Sequence, residues 1–290
     1  MREELKKYSE FLTTIRQFFY AQNVVEVKTH QLLNHPITDV HIDSIATQVN
    51  GEISPQHKYL HTSPELEMKK LLSRGSGDIY QICQVFRDNE QGLSNFNEFT
   101  MLEYYRLGFN IHQLMNDIVD LINALGFNFQ AEKMSYAQAF FKYADIDILN
   151  ASFSELKTIA KKYGLTTDFE WIEDLQIFMF TALCEPRLKE IPLCFIYDYP
   201  HQQAALAKVE SNVAHRFELY INGVEIANGY DELQDAYAYE QRFISDISKR
   251  KFLSKYTPEL DNEFIDQLND SLPQCSGVAI GIDRLLSQIN

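Results

Sequence analysis

Apolar residues recur at three- and four-residue spacing near the start of the chain, at Tyr8, Phe11, Leu12, Ile15, Phe18 and Phe19. That spacing predicts an amphipathic helix. A short strand, VVEVKT, is expected over residues 24–29, and the polar stretch 34–57 reads as loop with short strands. Thr62-Ser63-Pro64-Glu65 opens a second helix that runs to Leu72, since Ser or Thr before Pro is a good helix start. Arg74-Gly75-Ser76-Gly77 ends it. Residues 78–109 carry DIYQICQVFR, a polar loop DNEQGLSNFN and EFTMLEYYRLGF, the pattern of a long β-hairpin. Residues 111–125 and 135–190 read mainly as helices, and IPLCFIYDYP returns to strand. RFELYINGVEIANGY is a second hairpin with Asn222-Gly223 at its tip, the strongest short hairpin signal. A helix is expected over residues 233–253, and SGVAIGIDRLLSQIN runs from a small-residue strand into a helix. Hairpins mixed with helices predict an α+β fold, an antiparallel sheet flanked by helices, not a βαβ array.

Composition narrows this picture. The 290 residues suit one large domain spanning 1–290, and low Gly (11) and Pro (8) argue against long linkers. No apolar run of about 18 residues predicts a membrane span. The opening MREELKKYSE has no apolar signal core. Cys83, Cys184, Cys194 and Cys275 show no CxxC spacing and read as reduced thiols, so a cytoplasmic protein is expected. Lys+Arg 26 against Asp+Glu 41 gives a net charge of −15. That balance argues against extensive tRNA or other nucleic-acid binding, which draws its affinity from phosphate contacts.

The second hairpin concentrates carboxylates. A two-residue turn at Asn222-Gly223 sets Tyr220 opposite Glu225 and Glu218 opposite Ala227, so Glu218, Tyr220, Glu225 and Ala227 share one face. Phe217, Leu219, Ile221, Val224 and Ile226 form the core face. Glu218 and Glu225, with Glu232 beyond, suit Mg²⁺ shared with substrate phosphates; a solvated strand face accounts for the spacing equally well. In the first hairpin Arg87 offers the complementary charge, either as a structural ion pair or as a phosphate clamp. Met101, Glu103 and Tyr105 share a face on its return strand. Gly277, Ala279 and Gly281 alternate in the last strand, leaving room for a flat ligand or for tight strand packing.

These pieces in this order resemble the class II aminoacyl-tRNA synthetase core of the lysine type. The first helix with VVEVKT resembles motif 1, the dimer element; VFRDNE with NEFTMLEYY resembles motif 2; GVAIGIDRLL resembles motif 3. TSPELEMKKLL and RFELYINGVEIANGYDEL are similar to lysyl-tRNA synthetase segments, and the likeness covers nearly the whole chain. The chain begins at motif 1, so no anticodon-binding domain is expected. Ala279 stands where a lysyl-tRNA synthetase has Gly. Both traits, with QAFFKYADID and PQCSGVAIGIDRL, are similar to the truncated paralogues that attach (R)-β-lysine to a lysine of elongation factor P.

The resemblance implies ATP and Mg²⁺ as cofactors, a homodimer, lysine or β-lysine as substrate and elongation factor P as partner. It implies that Ser63, Pro64 and Glu65 receive the α- or β-ammonium, and Glu232 with Glu103 and Tyr105 the ε-ammonium. Arg87 is implied at the carboxylate and α-phosphate and Arg284 at the distal phosphates, the two catalytic arginines. Asp88, Asn89, Glu225, Ile226 and Gly281 complete the ATP site, and Glu218 and Glu225 hold the metal. Departures fall in motif 2: Asn89 stands where the family has Glu, with Glu90 next, and Asn95 and Phe96 replace a His and an Asn that contact ATP. His30 replaces a Pro, and the chain stops six residues after Arg284. Two other readings stay open: a synthetase-like enzyme that charges RNA, and a non-catalytic paralogue that binds amino acid or nucleotide.

Overall fold

The computed structural model describes residues 1–51, 54–90, 92, 96–268 and 272–289. Helix α1 (Arg2–Ala21) buries Phe11, Ile15 and Phe19, one residue per turn along one stripe. It ends where Asn23 takes a positive φ of 57°. Strand β1 is only Val25–Glu26. The longer strand expected over residues 24–29 is cut short because the Thr29 N–H donates to the Gln81 side chain, outside the backbone ladder. β2 (Leu32–Leu33), β3 (Ala46–Val49) and β4 (Gln56–Leu60) form a small sheet in the order β2-β4-β3. Helix α2 (Glu65–Ser73) follows, with Pro64 at its N-cap and Ser63 Oγ accepting from the Glu65 N–H.

β5 (Ile79–Phe86) and β6 (Glu98–Leu107) make the first hairpin. α3 (Ile111–Ala124) starts on an Asn110/Gln113 capping box. β7 (Glu132–Ser135) leads into α4 (Tyr136–Ala144), α5 (Phe153–Lys162), α6 (Ile172–Leu183) and α7 (Glu185–Leu188). Then come β8 (Leu193–Pro200), β9 (Val209–Glu210), β10 (Val213–Ile221) and β11 (Val224–Asp231). α8 (Ala236–Phe252), α9 (Asn262–Gln267), β12 (Cys275–Gly281) and α10 (Ile282–Gln288) close the described chain.

The main sheet runs β1-β5-β6-β12-β11-β10-β8-β7, with β9 paired to β10. Its centre is antiparallel as expected, but both edges are parallel: β1 with β5, and β7 with β8. β7 had no strand signal of its own, because four residues with one buried side chain leave almost no alternation to read. The β7-to-β8 connection is therefore one long helical crossover at one of the two parallel edges.

One face of the sheet carries α1, α3 and α10 over a core that includes Phe19, Tyr104, Ile118, Phe195, Phe217 and Leu285. The β7–β8 end is covered by α4, α5 and α6, through Phe140, Leu156 and Met179. The opposite side is closed by α2, α8 and α9, where Met68, Tyr239, Phe243 and Phe264 pack around Tyr105.

The second hairpin corrects the expected register. Its turn forms with Asn222 and Gly223 both at positive φ, 51° and 76°, and Tyr220 does face Glu225. Beyond that row a bulge intervenes, so Ala227 faces Leu219 and Glu218 faces Asn228. Ile226 and Ala227 consequently both pack into the core, and Ala227 leaves the polar face. Glu218 and Tyr220 share that face with Glu225 and Asn228 instead.

Close packing across β11 gives a stability prediction. A Cβ on Gly229 would lie 2.4 Å from Phe217 Cζ, in a ring with no room to move, and 2.9 Å from the Gly277 carbonyl oxygen. One on Gly281 would meet nothing closer than 3.7 Å. Gly229→Ala should lower the urea-unfolding free energy by about 1–3 kcal/mol, while Gly281→Ala leaves it near wild type.

Candidate active site

A cavity of about 440 Å³ opens over the centre of the main sheet, between β6, β12 and β11 below and α2, α8 and the 37–42 segment above. Its floor follows from register. Gly277 lies between Tyr105 and Tyr230, Ala279 between Glu103 and Asn228, and Gly281 beside Met101. The middle strand is small where both neighbours are large, so the side chains of β6 and β11 wall a trough instead of meeting. A Cβ on Gly277 would sit 2.3 Å from the Tyr105 ring and 2.7 Å from Glu232 Oε1. This residue is required for those two groups to approach each other.

One end of the trough is acidic. Lys69, fully buried on α2, lies 2.6 Å from Glu65 Oε1 and 2.7 Å from Glu232 Oε2, with its ammonium over the Tyr239 ring. Burial opposes the charge on Lys69, but Glu232 and Glu65 outweigh it and hold the ammonium well above its ordinary pKa. Glu103 completes the group. Tyr105 donates to its Oε1 at 2.6 Å, and its Oε2 is buried with no hydrogen-bond partner among the described residues. Burial, then the nearby Glu65, push the Glu103 carboxyl up to about 8. Burial pushes Glu232 up to about 7, against the pull of Lys69. Three carboxyls thus surround one ammonium, and the excess negative charge is relieved by protons in the absence of another cation.

The other end is arginine-rich. Arg87, just past β5, donates from Nε to the Thr62 carbonyl at 3.4 Å and stacks on Phe99. Arg284, in the first turn of α10, donates to the Glu225 carbonyl at 3.2 Å. The Asp283 carboxylate beside it accepts the Thr100 N–H at 2.7 Å, which ties α10 to β6. Burial and the Glu218 charge push Glu225 up to about 7, against Arg284, Arg216 and Arg87. Glu218 sits behind Glu225, bound by Arg216 Nη2 at 2.6 Å and by the Tyr220 hydroxyl at 2.6 Å. Arg216 is itself stacked on Tyr199 and reaches Asn228 at 3.2 Å. Among the described residues no group of three or more His, Cys, Asp or Glu converges as a metal site. Glu225 lines the cavity beside the arginines, while Glu218 stands behind it with its two oxygens on Arg216 and Tyr220; oxygen donors so placed suit a hard cation delivered with phosphates rather than one held by protein alone.

Of the residues singled out in the sequence, Ser63, Glu65, Arg87, Glu103, Tyr105, Glu225, Ile226, Glu232, Gly281 and Arg284 line this one cavity. Pro64 caps α2 without lining it. Asp88 turns away, pairing its backbone with Asp43 and accepting the Asn89 N–H. Asn89 takes a positive φ of 61°, which suits Asn, and the turn brings Glu90 to the cavity wall. Phe96 also lines the rim, while Asn95 lies outside the described residues.

Several participants were not singled out from the sequence. Lys69 had a signal, its i,i+4 relation to Glu65. Arg216 had one too, two residues before Glu218 on the same strand face. Asn228 and Tyr230 were hidden by the bulge, which shifts alternation by one residue. Asp39 and Asp246 also line the cavity, but they come from distant segments and had none.

The family model described as tRNA synthetases class II (D, K and N) matches residues 1–290. The chain is 40% identical to the elongation factor P–(R)-β-lysine ligase of Vibrio vulnificus, over 98% of this chain and 90% of that protein. It is likewise 40% identical to the ligase of that name from Haemophilus influenzae strain PittGG, over 98% and 90%. With the Salmonella arizonae ligase the figure is 39%, over 97% and 89%. Matched along its length by the family and nearly end to end by these ligases, the chain belongs to the class II tRNA synthetases of the D, K and N type, in the company of the elongation factor P–(R)-β-lysine ligases.

Proposed function

We propose that this protein is an ATP-dependent ligase that activates (R)-β-lysine, or lysine, as its adenylate and passes the acyl group to a lysine ε-amine of elongation factor P. The observation that carries the reading is the excess of buried carboxyls over Lys69 at one end of the trough. A substrate with two ammonium groups supplies the missing positive charge at both Glu65 and the Glu103–Glu232 pair. A monocation leaves one side unpaired. The names of the relatives favour this reading over a synthetase that charges RNA.

In this reading the substrate carboxylate points from the acidic end toward Arg87 and attacks the α-phosphorus of ATP. Arg87 and Arg284 stabilise the charge that builds on the phosphates, and pyrophosphate leaves. Glu218 and Glu225 would hold Mg²⁺, which would supply further charge neutralisation. Arg216 holds Glu218 in place through its 2.6 Å contact. No enzyme nucleophile is needed, because the trough brings the two substrates together. Ala279 carries its methyl into the floor beside Glu103, where it contacts the substrate backbone. The protein acts as a single catalytic domain over 1–290. The four buried free cysteines suit a reducing cytoplasm.

The direct test is to incubate the protein with ATP, Mg²⁺, labelled β-lysine or lysine, and either elongation factor P or tRNA. Label is expected on elongation factor P, strongest with β-lysine; label on tRNA alone overturns the reading.

Removing a carboxylate from the arginine-rich end should stop activation. Glu225→Gln and Glu218→Gln should each lower ATP–pyrophosphate exchange by about 10²–10³-fold, with unchanged circular dichroism.

The acidic end sets a pH dependence. In the free protein the Glu103 and Glu232 carboxyls titrate near 8 and 7, above the ordinary range. A bound dication favours their ionised forms, so binding expels protons. Affinity for β-lysine should therefore rise from pH 6 to pH 8 and then level. Calorimetry in buffers of different ionisation enthalpy should show proton release in that window. Glu103→Gln should weaken binding and flatten the rise.

α1 leaves Leu5 and Tyr20 exposed, and the edge strand β1 exposes Val25. We infer that these faces pair in a homodimer, so light scattering should return about twice the 33.8 kDa chain mass.

A further inference from the structure

A second cavity, of about 330 Å³, lies beside the first; Ile37, Thr62 and Ser63 line both and form the wall between them. His61 lines the second cavity and is only 1% exposed. Its Nε2 is 2.7 Å from the Gln84 carbonyl oxygen. A carbonyl has no proton to give, so Nε2 carries the proton and donates, and Nδ1 of the neutral ring keeps a lone pair. That Nδ1 is buried with no hydrogen-bond partner among the described residues. An acceptor left so costs stability, and a donor entering the cavity would remove the cost. Burial holds the ring below its ordinary pKa, against the Gln84 bond and the Glu67 charge, which keeps the lone pair available.

The rest of the wall says what kind of donor fits. Among the described residues, Glu67, Asp261 and Glu263 line the cavity against one lysine, Lys70, which is 2.7 Å from Glu67. His30 lies 3.8 Å from the other Glu67 oxygen. The cavity therefore favours a cation over an anion. Its shared wall carries the Thr62 carbonyl, the acceptor for Arg87 Nε. On the proposed function, Arg87 marks the activated carboxyl, so that group lies just across the wall from His61.

We propose that the second cavity is the port for the acceptor, a primary amine on a protein side chain, and that His61 Nδ1 takes its proton. This rests on the ligase reading and adds the route and the base. The amine nitrogen attacks the acyl carbon of the mixed anhydride. The C–N bond forms, the C–O bond to phosphate breaks, and AMP departs with the electron pair. The ammonium sheds two protons on this route: one passes to Nδ1 and on to water before attack and frees the lone pair, and the second follows the same path as the amide forms. Glu67, Asp261 and Glu263 gather the ammonium at the mouth.

The experiment compares His61→Gln, Glu67→Gln and Glu263→Gln with wild type in three assays. These are pyrophosphate exchange with β-lysine, capture of the activated acyl group by hydroxylamine, and single-turnover transfer to elongation factor P. Gln keeps a hydrogen-bond acceptor but cannot take a proton. His61→Gln should keep exchange and hydroxylamine capture within about threefold of wild type. Its transfer to protein should fall by about 10²-fold. The two Glu variants should raise the acceptor concentration needed for half-maximal transfer and leave exchange alone. Transfer that falls no further than exchange in His61→Gln overturns the base, and an unchanged acceptor requirement in both Glu variants overturns the port. If His61→Gln does not fold, the Glu variants decide alone, a raised requirement supporting the proposal. A wild type that exchanges pyrophosphate with neither β-lysine nor lysine overturns the ligase reading and this proposal with it.

Discussion

A fully buried lysine ammonium between two carboxylates is the constraint on which the rest of the site depends. Lys69 cannot stay charged in the interior without Glu65 and Glu232, and neither carboxylate is tolerable there without Lys69. Glu65 comes from the first turn of α2, four residues before Lys69, while Glu232 comes from just past β11. The pair of contacts therefore clamps α2 onto the end of the central sheet. Gly277 must be bare for Glu232 and Tyr105 to reach that clamp. Glu103, with its unpartnered oxygen, is the piece the clamp leaves over, and it makes the pocket selective for positive charge.

The sheet turns that local requirement into a trough with two unlike ends. Three neighbouring strands set the same rows: β6 supplies Met101, Glu103 and Tyr105; β12 supplies Gly277, Ala279 and Gly281; β11 supplies Asn228 and Tyr230. Between Tyr220 and Leu219 the bulge lets Glu225 keep its place opposite Tyr220 while Asn228, not Ala227, faces Glu218. A regular ladder would put the Ala227 methyl on the polar face and Asn228 in the core. The irregularity thus sets the polar groups that Arg216 binds together.

The longer helices, the two hairpins and the small-residue strand were legible because each repeats a local rule over seven or more residues. The capped helices, the Asn222-Gly223 turn and the switch from β12 into α10 all follow from chemistry within a few residues. β7 was not legible, and neither was the length of β1, because a two- to four-residue parallel edge strand is held by its neighbours rather than by its own pattern. Site residues divided the same way. Arg87, Glu103, Glu218, Glu225 and Glu232 stood out as charges in apolar or alternating contexts, and Glu65 only through the family resemblance. Lys69 looked like one more cation in an LEMKKLL helix, and His61 carried no signal at all. Only the fold shows that both are buried, and burial is what gives each its chemistry.

The last step concerns charge. A chain with a net charge of −15 is a poor scaffold for phosphates unless its cations are held against its own carboxylates. Arg216 binds Glu218 and stacks on Tyr199, and Arg284 reaches back to the Glu225 backbone. Among the described residues, Arg87 is fixed by a carbonyl and a ring rather than by an ion pair at contact distance. The positive potential is therefore confined to one end of the trough, with fixed directions, while the surrounding surface repels long polyanions. On the proposed function, such an arrangement would admit a small nucleotide whose charge is masked by a divalent ion and disfavour an extended nucleic-acid backbone. The acidic surface and the arginine cluster thus act together: the first discriminates by size of the anion, the second by its geometry.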